Sequence, residues 1–250
     1  MSLRAKPYTK SLEGGDLLIY EQPQKDHDYI MTVDVSKGRG QDYSTFNLID
    51  ISVRPFAQVA VYRNNTISPL LFPNIMYKYA KGYNNAYVVI EANDQGAVVC
   101  NGLYYDLEYE NVHVSSSVKA NAIGIEVNRK VKRLGCSAIK DLLENNKLNI
   151  VDENTIMEIS TFVAKGQSYE ASEGNHDDLM MNLVLFGYFT STQYFGDMTN
   201  INLKQMIFNQ KMKEIEDDMV PFGFVDDGSD HIEKLERPEQ GWAIEYDPNF

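Results

Sequence analysis

Three stretches rich in β-forming residues follow one another early in the chain: Tyr29 to Val35, Thr45 to Ile51 and Phe56 to Tyr62. Only the glycine-rich turn Ser36 to Asp42 and one short link separate them. That is too little chain for a parallel crossover, so an antiparallel meander opened by a long-looped hairpin is expected. The period then changes. In Ser68 to Ala80, Leu71, Phe72, Ile75, Met76 and Tyr79 recur at helical spacing, with Pro69 or Pro73 suited to a first turn. Ala86 to Ile90 is a short unbroken apolar run, the pattern of a strand buried on both faces. Gln95 to Tyr105 has helical character, Val112 to Val114 is a short strand candidate, and Ile125 to Asn146 holds a helix with Lys and Arg on its early turns. Ile150-Val151 reads as a further short strand, and Ile156 to Val163 fits strand or helix equally. Asp177 to Phe189 is a strongly apolar helix introduced by Gly174-Asn175, and a last helix is expected over 203–217 before an irregular acidic tail. The order is that of an α/β protein.

With 250 residues and 43% hydrophobic content the chain can bury a full core, as one domain or as one with a sizeable appendage. Cys100 and Cys136 form no CxxC pair and no cysteine–histidine cluster, and read as structural thiols of a reducing compartment. No apolar stretch approaches the ~20 residues of a membrane helix, and the start lacks the apolar core of a signal peptide, so a soluble, unsecreted protein without membrane contact is expected. Met1-Ser2-Leu3 and the polar, glycine-containing stretch after it read as a start joined to a natural linker, as in a domain excised from a longer protein. The net charge of −13 argues at first sight against nucleic acid. It is unevenly spread: Glu214 to Phe250 is strongly acidic, whereas Lys119 to Lys140 is net basic, so a basic face can coexist with an acidic tail.

Three acidic motifs stand at the ends of apolar runs: Asp34 in IMTVDVSKGRGQDYS, Glu91 in AYVVIEAND and Asp177-Asp178 in GNHDDLMMNLVLF. Carboxylates at strand ends and helix starts can converge in one pocket. Hard divalent cations take oxygen ligands, and two of them roughly 3.5–4 Å apart stabilise both the attacking and the leaving oxygen of a phosphodiester displacement. The pattern therefore points to a magnesium- or manganese-dependent nuclease. Asp34 is the candidate for a ligand shared by two ions, although taken alone it reads first as a strand-end residue capping the glycine-rich turn. Glu91, after so apolar a run, needs a metal or base as partner, or else is an exposed strand end bonded to Asn93 or Lys119. Asp94 reads as a cap of the next helix. At the third motif Asn175 is expected as N-cap, with His176, Asp177 and Asp178 in the first turn. Asp178 then reaches back to the Asn175 amide, which ranks Asp177 as the principal ligand and Asp178 as the auxiliary one. His176 reads as a packed or capping histidine. Lys37 and Arg39 place cations and flexible backbone beside Asp34, where a phosphate could approach, and Asp42 reads as a turn residue. Arg129, Lys130, Lys132 and Arg133 suit either a DNA-tracking face or an ordinary solvated one. No Walker-type phosphate loop occurs.

Through DVSKGRGQDYSTFNLID, VVIEAND, GIEVNRKVKRLGC and HDDLMMNLVLF, the chain resembles the C-terminal nuclease domain of the large terminase subunit of tailed bacteriophages, the ATP-driven DNA-packaging motor. The resemblance covers most of Tyr29 to Phe189. It implies an α/β, ribonuclease H-like mixed sheet of order β-β-β-α-β-α-β-α with helices on both faces. It divides the chain into a linker (1–27), a ribonuclease H-like nuclease core (28–199) and a C-terminal helix with acidic tail (200–250). The implied activity is endonucleolytic cutting of concatemeric viral double-stranded DNA with little sequence preference. The family's acidic triad falls on Asp34, Glu91 and the Asp177-Asp178 pair, holding Mg2+ or Mn2+, with two ions expected. Implied partners are double-stranded DNA, an N-terminal ATPase domain of the same polypeptide, the portal and the small terminase subunit, met in the host cytoplasm at the procapsid portal. The missing Walker motif agrees with the ATPase lying elsewhere.

Other readings remain open on sequence. A nuclease of the same fold, such as a junction resolvase, differs in substrate alone. An actin-like nucleotide-binding domain also starts with an acid and a glycine-rich turn, but needs a second such hairpin, which is not found. A non-catalytic module docking on the portal through the acidic tail would have no need of all the candidate acids.

Overall fold

In a computed structural model of the chain, residues 2–116, 121–165 and 168–200 are described. The helix expected over 203–217, the acidic tail and Lys119 lie outside these residues. Two short strands come first, β1 (Lys10–Leu12) and β2 (Leu17–Ile19), followed by β3 (Tyr29–Asp34), β4 (Ser44–Asp50) and β5 (Phe56–Asn64). The last three form the expected antiparallel meander, with Val33 opposite Phe46 and Phe46 opposite Tyr62. The chain then crosses through α1 (Phe72–Gly82) to β6 (Tyr87–Ile90), which lies parallel to β3 with Val33 beside Ile90. Together with β9 (Leu148–Asn149), which runs parallel to β5, these strands make a seven-stranded mixed sheet ordered β1-β2-β5-β4-β3-β6. Residues 1–27, read from sequence as linker, thus contribute two strands, and Leu17 and Ile19 are buried.

Alternation along β3 and β6 sends side chains to two cores. Met31, Val33, Val88 and Ile90 face a layer formed by α1 and α2 (Gly96–Asn101), whereas Ile30, Tyr87 and Val89 face α3 (Arg129–Glu144) and α5 (Asp178–Thr190). Helices on both faces explain why β6 is apolar throughout. Helix α5 is buried along almost its whole length, so it is apolar all round rather than amphipathic. It lies tight against α3, because a Cβ at Gly135 would stand 2.2 Å from the Val184 carbonyl oxygen and one at Gly187 2.6 Å from the Gly135 oxygen.

Local chemistry sets several boundaries differently from the sequence reading. The helix expected from Ile125 begins at Arg129, since the Asn128 side chain accepts the amides of Lys130 and Val131. Val112 makes only a parallel bridge to Val88, and Val114–Ser116 (β7) pairs instead with Asn121–Ile123 (β8) as a separate hairpin. The ambiguous run Ile156 to Val163 is both helix and strand. Asp152 caps α4 (Glu153–Thr161), which runs directly into β10 (Phe162–Lys165), paired with β11 (Ser168–Ala171).

Candidate active site

Parallel pairing of β3 and β6 ends both strands at one edge, and the Glu91 amide donates to the Val33 carbonyl at 2.9 Å. Asp34 and Glu91, one residue past the shared register, are thereby brought into hydrogen-bonding reach. The first turn of α5 brings Asp177 and Asp178 to the same place. All four acids line a cavity of about 510 Å3, together with Ser36, Lys37, Arg39 and Asp42 of the glycine-rich turn and Asn93, Asp94 and Gln95. That turn is held by Gly38, whose φ of +66° and contact with the Ile67 carbonyl leave no room for a side chain.

The acids oppose one another. Burial, then the charges of Glu91 and Asp178, push the Asp34 carboxyl well above the usual range. Burial raises Glu91 to about 7 although the Lys132 ammonium pulls it down, and Asp177 adds to the rise. Burial also raises Asp178 to about 6 against the favourable Tyr43 amide. The Oδ2 atom of Asp178 is buried with no hydrogen-bond partner, and His176 Nδ1 lies 3.7 Å away. Among the described residues no three His, Cys, Asp or Glu side chains are already drawn together into a closed ligand set. What the cavity offers is six carboxylates against two lining cations, Lys37 and Arg39. Such an excess of carboxylate oxygen fits hard divalent ions.

The helix start differs from the sequence reading. Asp177, not Asn175, occupies the N-cap position, Asp178 is the first helical residue, and Asn175 bonds instead to Ser172 and Glu173. Asp178 therefore has no capping duty toward Asn175, and the reason for ranking it second disappears. Asp177 is half-buried and lies 3.8 Å from Lys132 Nζ, whereas Asp178 is buried against Asp34. Asp94 does not cap α2 by a side-chain bond; Gln95 occupies the cap position and Asp94 lines the cavity. Asn93 bonds to the backbone of Val127.

Of the cations singled out, Lys37 and Arg39 line the cavity, as expected. Lys132 is not on an outward DNA-tracking face. It points inward, to Asp177 and over the Phe162 ring at 5.5 Å. Arg129, Lys130 and Arg133 are exposed on α3 and do not line the cavity. Four supporting residues escaped sequence reasoning. Glu158 accepts the amides of Leu179 and Met180, Arg63 stacks on Tyr43 at 3.5 Å, and Thr45 donates to the Asp178 carbonyl at 3.2 Å. The one signal available was Glu158, the single charged residue of the run Ile156 to Val163.

Known proteins share this fold. A family profile described as the terminase RNaseH-like domain matches residues 31–186, from β3 into α5. The large terminase nuclease from thermophilic phage G20c with bound magnesium superposes with a TM-score of 0.60 at 24% identity, covering 75% of this chain and 92% of that one. The same nuclease with bound cobalt gives 0.60 at 23%, with the same coverage. The Thermus phage P74-26 large terminase nuclease domain gives 0.56 at 25%, covering 74% and 89%. The matched segment holds Asp34, Glu91, Asp177 and Asp178, and the chain belongs to the terminase RNaseH-like domain family, the nuclease domain of large terminase subunits.

Proposed function

We propose that this chain, by its family an endonuclease of viral genome packaging, hydrolyses DNA with two divalent cations, Mg2+ or Mn2+, held by Asp34, Glu91 and Asp178, with Asp177 as auxiliary ligand. The observation that carries the assignment is the buried, unpartnered Oδ2 of Asp178 in a cavity shared with Glu91 and with Asp34, whose carboxyl is pushed up by burial and by the charges of Glu91 and Asp178. Groups so placed hold protons until cations replace them. When bound, such ions polarise the scissile phosphate and neutralise the charge developing on the attacking and leaving oxygens.

The protein's own share is positioning. Asp34, facing Glu91, Asp178 and Asp177, would be the ligand common to both ions. Lys132 holds Asp177 and tempers the charge on Glu91. Lys37 and Arg39, on the turn facing Asp34, contact backbone phosphates of the duplex, and the exposed Arg129, Lys130 and Arg133 extend that contact along α3. Phosphate contacts carry no sequence information, which agrees with the low sequence preference that the family resemblance implies. The substrate is concatemeric viral double-stranded DNA. The work is done in the host cytoplasm at the procapsid portal, in company with an ATPase domain of the same polypeptide, the portal and the small terminase subunit. No described helix is long and apolar enough to cross a membrane.

Supercoiled plasmid incubated with Mg2+ or Mn2+ tests the reading. The wild-type chain is expected to nick and linearise it, and Asp34→Asn to leave it intact. Preference for four-way junctions or RNA–DNA hybrids over duplex DNA would move the protein to another nuclease of the same fold.

A further inference from the structure

Helix α5 carries two proposed ligands at its start, yet neither caps it. An aspartate at the N-cap ordinarily turns its carboxylate onto the amides two and three residues ahead. Asp177 makes no such bond. Those two amides, of Leu179 and Met180, are taken by Glu158 from α4, whose Oε2 accepts both at 2.7 and 3.0 Å. Glu158 is only 5% exposed, and its other oxygen has no hydrogen-bond partner, with Arg63 Nη2 3.7 Å away. Arg63 in turn stacks on Tyr43, the residue whose amide Asp178 accepts. The carbonyls of the same turn are held from β4, Asp178 by Thr45 and Leu179 by Asn47 at 3.5 Å.

We propose that Glu158 is a positioning residue for the metal ligands: it caps α5 in place of Asp177 and so leaves both carboxylates of the pair turned into the cavity. A helix start needs an acceptor for its amides, and a carboxylate supplies one. If Glu158 is removed, the nearest substitute is Asp177, which can cap only by turning away from Lys132 and the cavity. Asp178, one residue on, then loses the fixed turn that aims it at Asp34. The inference rests on reading Asp177 and Asp178 as ligands.

Mn2+ titration by calorimetry, read beside plasmid cleavage and unfolding temperature, tests it with Glu158→Ala and Glu158→Gln. Glu158→Ala should weaken Mn2+ affinity at least about tenfold, the scale seen when a residue orienting a metal ligand is lost. Glu158→Gln keeps one oxygen able to accept both amides and should recover most of that loss. Leu17→Ala, in β2 across the sheet from β3, serves as a stability control. It should lower the unfolding temperature without changing Mn2+ affinity. If Glu158→Ala does not fold, Glu158→Asp, one methylene too short to reach, carries the same expectation. Wild-type affinity in Glu158→Ala or Glu158→Asp, or equal loss in Glu158→Ala and Glu158→Gln, would overturn the proposal. A wild-type chain that neither binds Mn2+ nor cuts would instead refute the function on which it rests.

Discussion

Asp152 and Asp178 are both buried aspartates at helix starts, and they stand in opposite circumstances. Asp152 is 1% exposed, and each of its oxygens is satisfied: Tyr20 Oη donates to one at 2.7 Å, and the amide and hydroxyl of Thr155 donate to the other at 2.7 Å. Asp178 is 8% exposed, shares its cavity with five other acids, and leaves Oδ2 without a hydrogen-bond partner. A buried carboxylate that is fully hydrogen-bonded holds the fold together. One that lacks such a partner and faces other acids across an open cavity is placed to take a cation.

Substitution should separate the two sharply. Asp34→Asn or Glu91→Gln is expected to lower plasmid cleavage by about a thousandfold or more, the scale of losing electrostatic stabilisation at a reacting phosphate, while the unfolding temperature stays level or rises. Asp178→Asn should cost cleavage more than Asp177→Asn, which loses only the half-buried partner of Lys132; the reverse order would restore Asp177 as principal ligand. Asp152→Ala should do the opposite of all these. It strands the Tyr20 hydroxyl and a helix-start amide, so chemical denaturation should show a loss of roughly 2–4 kcal/mol, with cleavage unchanged well below the new midpoint.

The pH response sharpens the same contrast. A carboxyl whose pKa is raised in the fold stabilises it while protonated. That contribution is complete below the ordinary carboxylate range and is lost as pH rises through about 6 for Asp178 and about 7 for Glu91. Without divalent ions the unfolding temperature should therefore fall between pH 5 and 8, by roughly 5–10 °C, and Mg2+ should restore more of it at pH 8 than at pH 5. Asp34→Asn should flatten this dependence and Asp152→Asn should not. The smallest effect is expected at the cavity rim, where Lys37→Gln or Arg39→Gln should each reduce the salt dependence of duplex binding by about one unit of slope.

Much of this was legible in the sequence because the signals are local. Apolar runs and their period gave the meander, β6 and α5, and strand ends after such runs located Asp34 and Glu91. What escaped depends on packing. The strands at Lys10–Leu12 and Leu17–Ile19 are too short to show a period and exist because the edge of β5 needed pairing. Lys132 belongs to a basic run that looks solvated throughout, and only the placement of α3 against α5, made close by Gly135 and Gly187, turns this one lysine toward Asp177. The start of α5 was misplaced by two residues because its cap comes from Glu158, which lies some twenty residues away in sequence and on another helix.

The most direct test is a Mn2+ titration of the wild-type chain and Asp34→Asn, following binding heat and plasmid cleavage on the same samples. Convergent ligands around Asp34 predict saturable binding of two ions with cleavage rising in step in the wild type, and neither in the variant. Wild-type binding and cutting by Asp34→Asn would contradict the assignment of these acids as the metal centre.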